Sequence, residues 1–194
     1  SSAGDINNDG YDDIIIGAYG ADSLSGESYV VFGKQNGYSA SLELSSLNGT
    51  NGFVINGIDA RDASGTSVSS AGDINNDGYD DIIIGAHGGD PNGDYSGESY
   101  VVFGKASGSY SASLELSSLN GTNGFIINGI DVEDFSGVSV SSAGDINNDG
   151  YDDVIIGAPY ADPNGVISAG ESFIVFGQSE FDAFVNLSDL AMMV

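Results

Sequence analysis

Short runs of branched and aromatic residues alternate along the chain with polar stretches rich in Gly, Ser, Asn and Asp. The tightest run, Ile14 to Ile16, lies between Asp12-Asp13 and Gly17-Ala18 and returns as Ile82 to Ile84 and Val154 to Ile156. Three consecutive branched residues with no polar alternate predict a strand buried on both faces. Ser28 to Phe32 (SYVVF), repeated from Ser99 and as SFIVF from Ser172, stops at glycine and predicts a second strand. Gly52 to Asn56, echoed at Gly124 to Asn128, predicts a third, and the alternating Thr66 to Ser70, echoed at Val138 to Ser142, a fourth. Leu42, Leu44 and Leu47 fit either an irregular connector or one helical turn, and no window supports a helix of ordinary length. The class is all-β, with four short antiparallel strands to a unit.

The unit is copied. Asp5 to Asp13 (DINNDGYDD) recurs unchanged from Asp73 and from Asp145, at spacings of 68 and 72 residues. Phe32-Gly33, Phe103-Gly104 and Phe176-Gly177 keep step, and so do Gly26, Gly97 and Gly170, each opening Gly-Glu-Ser. Repeated four-stranded sheets predict β-propeller blades, whose cores form by packing blade on blade. The expected blades are 1–64, 65–136 and 137–194. Ser1 falls midway through the first strand of the first blade. In the third, Phe184 to Leu190 aligns with Ser113 to Leu119 and the chain then diverges at Ala191 to Val194, so the outer strand equivalent to Gly124 to Asn128 is missing. An unpaired edge is a template for pairing with another chain. The three blades are therefore expected to be incomplete, to continue in a larger propeller or array, or to self-associate.

The nonapeptide places oxygen-bearing side chains at relative positions 1, 3, 5 and 9, with Gly at 6 for a sharp turn, a pattern that suits a hard divalent cation. An EF-hand would need an acid at position 12, where Ile16, Ile84 and Ile156 stand instead. The competing reading is an Asx-rich turn without metal. Against it, each copy gathers three carboxylates that would repel one another if left unneutralised.

Charge sharpens the picture. Three basic residues, Lys34, Arg61 and Lys105, face 29 acidic ones, for a net charge of −26. That balance repels phosphate backbones and anionic headgroups, excluding nucleic acid as a partner. Nine of the acids occupy positions 1, 5 and 9 of the three loops, and three Ca²⁺ ions would bring −26 to −20. No cysteine is present, so neither disulfides nor thiolate chemistry operate. No apolar stretch approaches the roughly 18 residues of a membrane-spanning helix, so no membrane insertion is expected. Ser1 opens directly into repeat sequence, as in a mature product or a fragment.

These residues resemble the FG-GAP repeats of integrin α-subunit β-propellers, especially the tandem versions of bacterial, including cyanobacterial, surface proteins. The name-giving pairs are Phe32-Gly33, Phe103-Gly104 and Phe176-Gly177, with Gly157-Ala158-Pro159 and the departures Gly17-Ala18-Tyr19 and Gly85-Ala86-His87. The resemblance covers nearly the whole chain. It implies one Ca²⁺ per repeat, about three in all. The implied ligands are Asp5, Asn7, Asp9, the backbone carbonyl of Tyr11, and Asp13; then Asp73, Asn75, Asp77, Tyr79 and Asp81; then Asp145, Asn147, Asp149, Tyr151 and Asp153. Extracellular sites of this kind have Kd on the order of 10⁻⁴ to 10⁻³ M, which favours an extracellular or cell-surface location.

The remaining polar residues fit blander roles. Asp12, Asp80 and Asp152 should point away from the cation by strand alternation, in supporting or solvent positions. Asp22, Asp59, Asp62, Asp90, Asp131, Asp134 and Asp162 lie in Gly-rich connectors as turn residues, a second cation site there being the alternative. His87 reads as an exposed loop residue, and Tyr29, Tyr100 and Phe173 as blade-to-blade packing. Asn48, Asn120 and Asn186 match the N-glycosylation pattern. The function expected is a non-enzymatic calcium-stabilised module for adhesion or structural assembly, with a protein or glycan ligand not identified by the sequence. The alternative is a hydrolase or lyase domain, such as a phospholipase or glycosidase, since FG-GAP propellers also accompany enzymes.

Overall fold

The structure is a computed structural model that describes residues 1–38 and 40–190. Four consecutive strands, β1 (Ser2–Gly4), β2 (Asp13–Ala18), β3 (Glu27–Val31) and β4 (Gly52–Asn56), pair antiparallel in chain order. The pattern repeats as β5 (Ser67–Gly72), β6 (Asp81–Ala86) and β7 (Glu98–Val102), then β8 (Ser113–Glu115) and β9 (Gly124–Asn128). The last strands are β10 (Ser139–Gly144), β11 (Asp153–Ala158), β12 (Glu171–Val175) and β13 (Phe184–Asn186). No α-helix occurs among the described residues, and each leucine-rich connector ends in one 3-10 turn, at Leu44–Ser46, Leu116–Ser118 and Leu187–Asp189.

Two features amend the four-strand unit. Strand β8 leaves its own repeat and adds in parallel to β4, with Val54 opposite Ser113 and Asn56 opposite Glu115. Likewise β13 adds in parallel to β9. The first two sheets therefore have five strands, β1-β2-β3-β4-β8 and β5-β6-β7-β9-β13, and the third has three, β10-β11-β12. Among the described residues β12 pairs only with β11, which leaves its other edge unpaired, as the sequence led us to expect. The divergence at Ala191 to Val194 lies outside the described residues.

The core sits between sheets. One cluster joins Ile15, Val30, Phe53 and Ile55 of the first sheet to Ile82, Ile84 and Tyr100 of the second. The other joins Ile83, Val101, Phe125 and Ile127 to Val154, Ile156 and Phe173 of the third. The expectation that the Ile-Ile-Ile strand is buried on both faces holds for β6 alone, whose residues are all buried. In β2, Ile14 is 42% exposed, and in β11, Ile155 is also exposed. The reason is that β6 has a neighbouring sheet on either side, whereas the described first and third sheets each have one.

Candidate metal centre

Each loop is entered through a register shift at the end of its first strand, where Gly4, Gly72 and Gly144 oppose Asp13, Asp81 and Asp153. Such bulges turn the chain away from the ladder. Asp5 then folds the loop back on itself, Oδ1 accepting Asp9 N–H at 2.9 Å and Oδ2 accepting Gly10 N–H at 2.9 Å. Asp73 does the same for Asp77 and Gly78, and Asp145 for Asp149 and Gly150. Asp9, Asp77 and Asp149 in turn accept the N–H of Tyr11, Tyr79 and Tyr151. The sharp turn requires glycine at position 6: Gly10, Gly78 and Gly150 have φ of +90°, +91° and +95°.

The ninth-position carboxylates lie deepest. Asp13, Asp81 and Asp153 are buried, and each accepts two backbone N–H groups from different parts of the repeat. Asp81 takes Ile74 N–H at 3.0 Å and Gly104 N–H at 2.8 Å. Asp13 takes those of Ile6 and Gly33, and Asp153 those of Ile146 and Gly177. Glycine in the Phe-Gly pair is thus required by close approach, since a Cβ on Gly33 would lie 2.5 Å from the carbonyl oxygen of Asp12. Burial pushes the Asp81 carboxyl up to about 8 and that of Asp13 up to about 7. The backbone bonds from Gly104 and Gly33 pull them back in part, while the other loop carboxylates, Asp77 and Asp73 or Asp9 and Asp5, push in the same direction as burial.

Among the described residues, no group of three or more His, Cys, Asp or Glu side chains stands ready to hold a metal ion, the loop carboxylates being turned onto backbone N–H groups. The donor set nonetheless fits a hard cation. Asn7, at the third position of the first loop, is 1% exposed, and neither its amide oxygen nor its nitrogen has a hydrogen-bond partner. Leaving such a group unsatisfied costs about 1–3 kcal/mol. A cation taking the Asn7 oxygen would offset that cost and the mutual repulsion of Asp5, Asp9 and Asp13. The equivalent amide oxygens of Asn75 and Asn147 accept the N–H of Asp77 and Asp149.

The first two loops are covered by the following repeat. Ile6 O accepts Lys105 N–H at 3.1 Å and the Tyr110 hydroxyl at 2.7 Å, and Asn7 O accepts Ser107 N–H at 3.1 Å. Ile74 O accepts Gln178 N–H at 3.1 Å. Tyr110 also stacks on Phe53 with centroids 4.7 Å apart, and Phe181 on Phe125 at 4.1 Å. Sequence reasoning missed these two aromatics, whose signal is their recurrence shortly after each Phe-Gly pair, at Tyr38, Tyr110 and Phe181. Ile6 and Ile74 are fully buried beneath this cover, while Ile146 is 50% exposed.

The acidic connectors behave as turns. Asp62 and Asp134 are buried and accept the N–H of Asp59 and Asp131, and Asp90 and Asp162 accept those of Tyr95 and Ser168. His87 departs from expectation. It is half-buried, its ring stacked on Phe135 at 5.9 Å and its Nδ1 3.0 Å from Thr66 Oγ1, because Phe135 of the neighbouring connector folds over it. Asp80 and Asp152, expected in supporting or solvent positions, reach the loop of the preceding repeat.

Comparison with known proteins accords with this geometry. The FG-GAP repeat family profile matches residues 1–40, 64–102 and 136–174. Integrin alpha-4 of Xenopus laevis is 31% identical over 189 residues, 95% of this chain and 16% of that protein. Integrin alpha-5 of Xenopus laevis is 30% identical over 159 residues, covering 81% and 14% respectively. Integrin alpha-6 of Homo sapiens is 35% identical over 108 residues, 55% of this chain and 8% of that protein. The chain thus spans at most 16% of the length of these relatives. Its three matched units, laid out as successive β-sheets, make it a member of the FG-GAP repeat family.

Proposed function

We propose that the chain is a non-enzymatic, calcium-binding β-propeller module that works outside the cell or at its surface in adhesion or structural assembly. Each repeat, divided near residues 64 and 136, holds one Ca²⁺ that stabilises its loop. The ligands are the side chains of the first, third, fifth and ninth loop residues and the carbonyl of the seventh, from Asp5 to Asp13, Asp73 to Asp81 and Asp145 to Asp153. The observation that carries this reading is the buried, unpartnered amide of Asn7 in the loop that carries the carboxylates of Asp5, Asp9 and Asp13. Similarity to integrin alpha subunits supports the adhesion role and the location. The outer edge of β12, unpaired among the described residues, supports association with another strand, from a second copy or a longer array. The ligand is a protein or glycan.

Titration calorimetry with calcium tests the metal reading. About three ions should bind per chain, and Asp9→Ala should leave about two. Equal stoichiometry in the two proteins would contradict the assignment of the first loop.

A further inference from the structure

We propose that Asp80 and Asp152 are positioning residues for the cation loop of the preceding repeat, so that each site is completed across a sheet junction. This rests on the calcium reading of the loops. Asp80 Oδ2 accepts the backbone N–H of Asp5 at 2.7 Å, and Asp152 Oδ2 that of Asp73 at 2.9 Å. Asp5 and Asp73 are the first ligands of their loops. The bond fixes the residue that carries the ligand, and the charged acceptor makes it stronger than a neutral hydrogen bond.

The fit is close and specific. A Cβ on Gly4 would lie 2.2 Å from Asp80 Oδ2, and one on Gly72 2.1 Å from Asp152 Oδ2, so the carboxylate packs into space left by a glycine whose positive φ, +67° and +69°, the bulge itself calls for. At Gly144, the equivalent position of the third repeat, a Cβ would meet open space. Asp12, the equivalent of Asp80 in the first repeat, is exposed. Among the described residues no carboxylate reaches Asp145 N–H in this way.

The test uses the 194-residue protein with only the first loop intact, through Asp77→Ala and Asp149→Ala. In this background Asp80→Ala should weaken calcium binding at least about tenfold, the usual scale for loss of a group that orients a metal ligand. Asp80→Asn, which keeps an acceptor oxygen, should recover most of the affinity, and Asp12→Ala, adjacent to the ninth ligand of the same loop, should leave it unchanged. If Asp80→Ala fails to fold, Asp152→Ala in a protein retaining only the second loop asks the same question. Calcium binding that is insensitive to Asp80→Ala, or sensitive to Asp12→Ala instead, would overturn the inference and leave the calcium reading standing. Absence of binding in the unmutated protein would remove both.

Discussion

Gly104 donates its backbone N–H to the carboxylate of Asp81 at 2.8 Å, tying the Phe-Gly turn at the end of β7 to the last residue of the acidic loop. The same bond joins Gly33 to Asp13 and Gly177 to Asp153. The two most recognisable motifs of the repeat are therefore halves of one contact.

That contact leaves no room for a side chain. A Cβ on Gly104 would lie 2.4 Å from the carbonyl oxygen of Asp80 and 2.7 Å from Tyr79 Cβ. Gly104→Ala should destabilise the protein by about 1–3 kcal/mol, the usual scale of overpacking. A lower urea midpoint with unchanged slope checks it.

The raised carboxyls of Asp13 and Asp81 give the calcium-free protein an inverted pH dependence. Their folded values, about 7 and about 8, lie above the ordinary 3.8, so the folded state holds protons that the unfolded state has released. Stability from these groups is fully present below about pH 4 and is lost as pH rises through 7 to 8. In chelator, the melting temperature should fall between pH 5 and 8, and Asp81→Asn should flatten part of that slope. Saturating calcium, which requires ionised ligands, should reverse it.

The aromatic cover over the loops is structural. Phe181 is buried against Phe125 and Phe103, and Phe181→Ala should cost about 3 kcal/mol or more. Tyr110→Phe keeps the stack on Phe53 and loses the hydroxyl, which donates to Ile6 O and accepts Lys105 N–H, for roughly 1–2 kcal/mol. Chemical denaturation of both variants measures the difference.

The outer edge of β12, which no strand among the described residues covers, should make the protein associate as its concentration rises. Ser172 is exposed on this strand, and Ser172→Lys places a charge on the edge, a common natural protection against strand pairing. Sedimentation should show association in the unmutated chain and a shift toward monomer in the variant.

The repeat unit and most of its strands are legible in the sequence. Strands β4 and β9 begin and end where the pattern places them, and the loop glycines have the positive φ that position 6 calls for. What escaped is long-range. The segment Ser113–Glu115 has three residues and no strong alternation, and it becomes a strand only because β4, in the preceding repeat, offers a parallel edge. Strand alternation turns Asp80 away from its own loop without saying toward what, and its partner is the N–H of Asp5, 75 residues earlier. Local periodicity reports which face of a strand is buried, and it carries nothing about which repeat does the burying.

Thermal melting with and without calcium tests most directly the proposal that this ion holds the repeats together. At about 10 mM calcium and a Kd of about 10⁻⁴ M, each filled site adds about 2.7 kcal/mol. With roughly 2–4 °C per kcal/mol at this chain length, the melting temperature should rise by on the order of 10 °C or more and fall back on chelation. An identical melting temperature in calcium and in chelator would contradict it.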